Sequence, residues 1–226
     1  MENVNREQGS QHADLTARLK RHLPFAQARR QALPEVPGLE LFLLNPDFPQ
    51  HELTAEEMSA ALNYPAYWAF CWASGQVMAR FLFDQPDWVR GKRVLDFGSG
   101  SGVAGIAAAL AGAAEVVACD IDPDALAATA ANARLNGVDI ILQQDYEDCD
   151  GEFDLVLVAD VLYDRANLPW LDRLLERAAA VLLADSRIRD FSHPAYRQLG
   201  CRQSNTWPDL DESAEFRTVS LYASST

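Results

Sequence analysis

One stretch, residues 93–102, constrains the fold of this chain more than any other. Its sequence, Arg93-Val-Leu-Asp-Phe-Gly-Ser-Gly-Ser-Gly102, places a short apolar run directly before a cluster of glycines. The apolar run predicts a buried strand, and the glycines predict a tight turn that a ligand can approach closely. Residues 103–111 are rich in Ala, Leu and Ile, which predicts a helix whose N-terminus faces the turn. This order of elements forms a cradle of the kind that holds a nucleotide.

The glycine pattern alone leaves the ligand open. Gly100-x-Gly102-x-x-Gly105 satisfies the dinucleotide fingerprint, which would indicate a nicotinamide cofactor, and it also fits a turn that needs glycine for packing only. Asp96, at the end of the strand, would repel a pyrophosphate but can receive the cationic amino group of S-adenosylmethionine. Asp120 lies about twenty residues past the loop, where an acid can hold ribose hydroxyls. The two carboxylates favour S-adenosylmethionine over the alternatives.

From residue 93 onward, strand and helix patterns alternate, which predicts βαβ units and a parallel sheet. Near the end of the chain, the pattern predicts a helix over residues 193–199. Strands over residues 201–206 and 216–223 then predict an antiparallel hairpin at one sheet edge. The expected fold class is α/β, with a mostly parallel Rossmann-like sheet and helices on both faces.

The N-terminal part of the chain is predicted to be an appendage to that sheet. Leucines with helical spacing predict a helix over residues 12–33, interrupted at Pro24. Thr54-Ala-Glu-Glu57 is a capping box, which predicts that a second helix starts there. We therefore expect two parts, a helical appendage (residues 1–63) and a ligand-binding domain (residues 64–226).

Composition excludes several classes of function. The chain has 226 residues, of which 49% are apolar, enough for one large α/β domain with a sizeable core. Its net charge of −14 argues against a nucleic-acid partner. The four cysteines lack metal-ligand spacing, and no signal peptide or membrane-spanning run is visible. We expect no metal, no membrane partner and a cytoplasmic protein.

Ligands of open α/β sheets bind beyond the carboxyl ends of the strands, so residues at those ends are candidates for the site. Asp145 can accept a hydrogen bond from an adenine amino group, and Tyr146 beside it can stack or pack. Ile121 can cover the face of the adenine. Further upstream, the dense aromatic stretch 65–76 either packs in the core or caps the site, where Tyr67, Trp68 and Trp72 would attract a cation.

Several motifs together resemble the class I methyltransferases. Asp96, the glycine loop and Asp120 carry the general resemblance. A longer set of motifs, spread over about residues 64–165, is similar to the electron-transfer flavoprotein β-subunit lysine methyltransferase family. It consists of Tyr67-Trp-Ala-x-x-Trp-x-x-Gly-Gln, Val94-Leu-Asp-x-Gly-Ser-Gly, Asp120-Ile-Asp-Pro and Asp160-x-x-Tyr-Asp164, and Asp185-Ser-Arg187 echoes a later segment. The chain departs from the family after Trp72, where Ala-Ser-Gly stands in place of Pro-Gly-Gly.

The resemblance implies a seven-stranded fold and an S-adenosylmethionine-dependent N-methyltransferase. The implied acceptor is a lysine of a protein such as the β subunit of electron-transfer flavoprotein. A small-molecule N-methyltransferase for amines or pyridines and a non-catalytic binding protein of this fold stay open. Asp160 and Tyr163 are the expected catalytic residues. The expected cofactor contacts are Trp72, Asp96, Gly98, Ser99, Gly100, Gly102, Asp120, Ile121, Asp145, Tyr146 and Ala159.

Overall fold

A computed structural model describes residues 2–188 and 190–224 of the chain. Its strands are β1 (Ala28–Ala32), β2 (Glu40–Leu44), β3 (Arg93–Phe97), β4 (Glu115–Cys119), β5 (Ile141–Gln143), β6 (Leu155–Ala159), β7 (Val181–Asp185), β8 (Tyr196–Gln203) and β9 (Thr218–Ser224). Its α-helices are α1 (Glu2–Leu19), α2 (Ala55–Asn63), α3 (Ala73–Asp84), α4 (Val103–Leu110), α5 (Pro123–Leu135) and α6 (Trp170–Leu175). None of these helices is both long and apolar enough to cross a membrane.

The main sheet has seven strands in the order β5-β4-β3-β6-β7-β9-β8. Strands β3 to β7 pair in parallel, whereas β9 runs antiparallel to both β7 and β8. Successive side chains of β6 enter different clusters: Leu155 packs with α3 and α4, and Val156 packs with α6. The central strands β3, β4, β6 and β7 are buried on both faces, which explains why they are mostly apolar runs in the sequence.

The predicted helix over residues 12–33 is wrong in its second half. Helix α1 ends at Leu19, before Pro24, and residues 28–32 form β1, which pairs with β2. The apolar β2 supplies the pairing edge that converts this segment to a strand. The other edge of β2 is bound by α5, where the side chain of Asn132 accepts from the Phe42 N–H at 2.7 Å. The β1–β2 hairpin is thus hydrogen-bonded to α5, one of the helices that flank the main sheet.

The predicted helix over residues 193–199 is also wrong, because most of this segment belongs to β8. Strand β8 begins at Tyr196 and pairs with β9 over its whole length, with a register shift between Gln198 and Gly200. Hydrogen bonding to a distant strand has overridden the local pattern, which short-range sequence spacing does not reveal. The predicted antiparallel hairpin at the sheet edge is present.

Gly102 fixes the junction between the glycine loop and α4. Its φ is +80°, and a Cβ at this position would lie 2.9 Å from Cγ2 and 3.1 Å from Cα of Thr129 on α5. Glycine avoids both the left-handed strain and this clash. Ser99 contributes to the same contact, since its hydroxyl lies 3.2 Å from Oγ1 of Thr129. The loop is therefore held against α5 by close packing.

Gly102→Ala should lower the free energy of unfolding by about 2–4 kcal/mol, because backbone strain and overpacking add. Gly137→Ala is the matched control. Gly137 has a φ of +68° with no heavy atom within 4 Å of the added Cβ, so it should lose only the strain of about 1–2 kcal/mol. Urea denaturation of both variants measures the difference. Equal losses would mean that the contact with Thr129 does not constrain the loop.

Candidate functional site

A cavity of about 540 Å³ opens at the carboxyl ends of the parallel strands β3, β4 and β6. This volume is in the range of sites that bury a small ligand. Ten of the predicted site residues line it, and they come from segments far apart in the chain. They are Trp72, Gly98, Gly100, Asp120, Ile121, Asp145, Tyr146, Ala159, Asp160 and Tyr163.

Three predicted contacts, Asp96, Ser99 and Gly102, do not line this cavity. Asp96 is 2% exposed, and its Oδ2 accepts a hydrogen bond from the Gly105 N–H at 2.8 Å. Ser99 and Gly102 are the residues that pack the loop against α5. All three support the glycine loop from the side that faces away from the cavity. Their direct contact with a cofactor stays a prediction.

The buried position of Asp96 perturbs its ionisation. Desolvation raises the pKa of its carboxyl to about 7, the Asp120 charge also raises it, and the Gly105 N–H opposes the shift. In the unfolded chain the carboxyl titrates near pH 3.8. Between these values the folded protein binds the additional proton, so the contribution of Asp96 to stability falls as pH rises from about 4 to about 7.

Asp96→Asn should therefore change the pH dependence of stability. The amide keeps an acceptor for the Gly105 N–H but does not ionise. Relative to the wild type, the variant should gain stability between pH 4 and pH 8 by about 1–3 kcal/mol. Denaturation midpoints of both proteins at several pH values measure this gain. A stability difference that is constant with pH would contradict the raised pKa of Asp96.

Asp120 joins two loops at the cavity wall. Its Oδ2 accepts from the Gly100 N–H at 2.8 Å, and its Oδ1 accepts from the Asp122 N–H at 3.0 Å. Burial raises the pKa of its carboxyl, and the two N–H donors oppose that shift. The side chain thus orders the glycine loop and the loop after β4 together. It stands where ribose hydroxyls bind in folds of this kind.

The next part of the wall is apolar and open at its edge. Ile121 is 85% exposed although it borders the cavity, so a bound ligand would cover it. Tyr146 is buried, and its ring packs edge-on against Phe97 and Trp170. Asp145 precedes it and accepts from the Glu147 N–H at 3.0 Å. These residues form a slot with an apolar floor and a carboxylate beside it, which suits a purine ring.

Asp160 lies at the opposite end of the cavity, directly after β6. Its φ is +50°, in the left-handed region that few residues other than glycine adopt. Oδ1 of its carboxylate accepts from the N–H of Ser186 at 3.0 Å and from its hydroxyl at 2.9 Å. Oδ2 is buried and has no hydrogen-bond partner among the described residues. One oxygen is therefore held by Ser186, and the other has no partner in the part of the chain that the structure describes.

A second carboxylate stands beside this one. Asp185 ends β7, and burial together with the charge of Asp160 raises the pKa of its carboxyl to about 6. Its Oδ1 accepts from the N–H groups of Arg187 and Ile188, each at 2.7 Å. These bonds fix the turn after β7, and that turn presents Ser186 to Asp160.

The mouth of the cavity carries aromatic rings. Tyr163 is 55% and Tyr67 43% exposed, with ring centroids 5.3 Å apart. Trp72 lies 5.8 Å from Tyr67, and its Nε1–H donates to the Tyr67 carbonyl at 3.0 Å. Burial of part of its ring raises the pKa of Tyr163. Electron-rich rings at this point suit a cationic group.

Sequence reasoning assigned no role to Arg187, Asn167 and Trp170, which also line the cavity. The Arg187 guanidinium lies 5.3 Å from the Trp72 ring, and it forms an ion pair with Glu212. Asn167 donates from Nδ2 to the Val161 carbonyl at 2.8 Å, which braces the segment between Asp160 and Tyr163. One sequence feature indicated Arg187, because the segment Asp185-Ser-Arg187 resembles a segment of the family. No sequence feature indicated Asn167 or Trp170.

The residues present fit S-adenosylmethionine. Nothing lies within 4 Å of a Cβ built on Gly100, whereas a Cβ on Gly98 would lie 2.6 Å from Val161. The glycine loop leaves space for a ligand, Asp120 suits the ribose hydroxyls, and the apolar slot suits the adenine. The unpartnered carboxylate oxygen of Asp160 suits the methyl acceptor. In residues 2–188 and 190–224, no group of three or more His, Cys, Asp or Glu side chains is arranged to hold a metal ion.

Comparison with known sequences finds methyltransferases. Residues 82–188 match the ribosomal protein L11 methyltransferase (PrmA) family. The electron transfer flavoprotein beta subunit lysine methyltransferase of Rattus norvegicus is 45% identical over 152 residues, which cover 63% of this chain and 60% of the relative. The protein of the same name from Homo sapiens is 46% identical over 134 residues, covering 56% and 51%. The matched part of this chain thus spans at most 60% of either relative's length.

Comparison with solved structures finds the same fold. A ribosomal protein L11 methylase from Lactobacillus delbrueckii subsp. bulgaricus aligns with a TM-score of 0.51 at 25% identity, over 67% of this chain and 78% of that one. A proposed RNA methyltransferase from Pyrococcus horikoshii aligns with a TM-score of 0.53 at 18% identity, over 68% and 83%. The comparisons confirm the class I methyltransferase fold and the resemblance, and they support S-adenosylmethionine as the cofactor.

Proposed function

We propose that this chain, which has the class I methyltransferase fold and is similar to electron transfer flavoprotein beta subunit lysine methyltransferases, transfers a methyl group from S-adenosylmethionine to lysine side chains of a protein. The observation that carries the proposal is the unpartnered Oδ2 of Asp160 beside Tyr163. A buried carboxylate oxygen without a donor is costly, and a lysine ammonium or amine supplies the missing hydrogen bond.

S-adenosylmethionine supplies an electrophilic methyl group on a sulfonium, so the protein mainly has to align a lone pair with it. A lysine ammonium has a reference pKa of about 10.4 and must lose a proton before it attacks. Partial desolvation in the cavity and the nearby positive charge of the sulfonium favour the neutral amine. The proton leaves to water, so no residue of the site needs to be a strong base.

Asp160 acts as the residue that holds and orients the amine. Ser186 fixes Oδ1 of its carboxylate, and Oδ2 accepts a hydrogen bond from the amine nitrogen. Tyr163 lines the same cavity, and its ring limits the directions from which the nitrogen can approach. On the cofactor side, Asp120 holds the ribose hydroxyls and the slot formed by Ile121 and Tyr146 takes the adenine.

The accessibility of the cavity mouth supports a protein acceptor over a small amine. A small amine is best bound by a closed pocket, yet Tyr67 and Tyr163 are each about half exposed at this opening. The net charge of −14 suits a lysine-bearing surface and disfavours a nucleic-acid acceptor. By similarity, the β subunit of electron-transfer flavoprotein is the first candidate acceptor.

Transfer of labelled methyl groups tests the proposal. The protein is incubated with methyl-labelled S-adenosylmethionine and a cell extract, and the products are separated by size, with a reaction lacking the protein as the control. We expect label in the protein fraction. Label confined to the low-molecular-weight fraction would reject the protein-lysine assignment in favour of a small-molecule N-methyltransferase, and no label in either fraction would reject methyl transfer.

A further inference from the structure

Helix α2 is well formed, and most of its described residues are exposed. It begins with a reciprocal cap, in which the Thr54 N–H donates to Glu57 at 2.8 Å and the Glu57 N–H donates to the Thr54 hydroxyl at 3.2 Å. None of its described side chains is buried. Met58 and Leu62, one turn apart on the same face, are 41% and 73% exposed. An exposed apolar face on an ordered helix marks a surface for a partner.

The C-terminal end of α2 is connected to the wall of the cavity. Tyr64 follows the last residue of α2, and its hydroxyl donates to Oδ1 of Asp122 at 2.9 Å. Asp122 and Tyr67 both line the cavity. Of the ten large apolar side chains exposed in the described residues, six lie on α2, directly after it or at this opening: Met58, Leu62, Tyr64, Tyr67, Ile121 and Tyr163.

Acidic residues predominate in the segment of the chain that contains α2. Residues 31–79 contain six acidic residues and no Lys or Arg. Glu52 and Glu56 are exposed, and within the described part of the chain no ion pair engages either of them. A partner that covers this region must therefore bring positive charge together with apolar area. A second copy of this chain would instead place the same acidic residues against one another.

We propose that α2, with its exposed Met58 and Leu62 and its acidic flank, is the docking surface for the protein methyl acceptor. This inference rests on the proposed function. The occupant is a folded protein whose target lysine lies in a basic and partly apolar surface. The nine residues of α2 form a surface about 13 Å long, more than a small amine or an isolated lysine can cover. Docking on α2 then holds the lysine over the cavity.

The test compares folded and unfolded forms of one acceptor. The double variant Met58→Ser/Leu62→Ser should lower kcat/KM for the folded β subunit of electron-transfer flavoprotein by about tenfold, mainly through KM. A short peptide carrying a target lysine should show no such decrease. Leu110→Ser is the matched control, because Leu110 is 43% exposed at the far end of α4, away from the cavity. It should behave as the wild type with both acceptors.

A second variant tests the charge. Glu52→Lys/Glu56→Lys should raise KM for the folded acceptor by about tenfold at low salt, and the effect should shrink at high salt. Unchanged kinetics of both double variants, or an equal loss with protein and peptide, would overturn the inference. So would light scattering that shows a wild-type dimer separated into monomers by Met58→Ser/Leu62→Ser. If the wild type itself labels no protein, the proposed function fails before any variant is needed.

Discussion

Asp160→Asn should leave the affinity for S-adenosylmethionine unchanged and lower the turnover of methyl transfer by at least about 100-fold. The amide keeps the size of the side chain and an oxygen that accepts both hydrogen bonds from Ser186. Asparagine also tolerates the left-handed backbone, with its φ of +50°, better than most residues. The variant therefore replaces only the free oxygen, which is the atom that we propose holds the amine.

The control for this prediction is Asp164→Asn. Asp164 is exposed, lies on the same loop and caps a short turn by accepting from the Ala166 N–H at 2.9 Å. The change should affect turnover much less than Asp160→Asn does. Calorimetry measures cofactor binding, and initial rates measure turnover. A loss of folding stability together with cofactor affinity in Asp160→Asn would mean that Asp160 has a structural role and that its active-site role is wrong.

Asp120→Ala should weaken binding of S-adenosylmethionine by about 1–3 kcal/mol, or about 5- to 150-fold. Two effects contribute. The variant removes a charged hydrogen-bond partner of the ribose, and it frees the N–H groups of Gly100 and Asp122 that order the two loops. Calorimetry gives the affinity directly.

Asp139→Ala serves as the control for Asp120→Ala, since Asp139 is exposed and does not line the cavity. It should bind the cofactor as the wild type does. Asp120→Asn should lie between the wild type and Asp120→Ala, because its oxygen still accepts one N–H. Unchanged affinity in Asp120→Ala, or a preference of the wild-type protein for a nicotinamide cofactor, would contradict the assignment of the cofactor site.

Sequence patterns located the main elements of the sheet because its central strands are buried on both faces. Val94 and Leu95 in β3 and residues 155–158 in β6 form apolar runs that glycine or acidic residues terminate. The patterns failed where pairing with another strand decides the structure. β1 carries Arg29 and Arg30 and becomes a strand only against β2, and β8 becomes one only against β9. In both cases the pairing partner, and not the spacing of apolar residues within the segment itself, makes the segment a strand.

The part of the candidate site that lies at the carboxyl ends of the parallel strands could be predicted from the sequence. Asp120, Asp145 and Asp160 follow successive parallel strands, so their meeting at one edge follows from the predicted fold. The hydrogen bonds that hold the carboxylates at these strand ends could not be predicted. No spacing rule indicates that Ser186 holds Asp160, or that the carboxylate of Asp96 turns inward to Gly105. These contacts depend on side-chain directions at strand ends, which the sequence does not reveal.

The central claim is that Asp160 orients a lysine of a protein for methylation by S-adenosylmethionine. Its most direct test is mass spectrometry of the lysines of electron-transfer flavoprotein β subunit after incubation with labelled cofactor and either the wild-type protein or Asp160→Asn. We expect labelled methyl groups on specific lysines with the wild type and at least about 100-fold slower labelling with the variant. Unlabelled lysines with active wild-type protein, or equal labelling rates with both proteins, would contradict the claim.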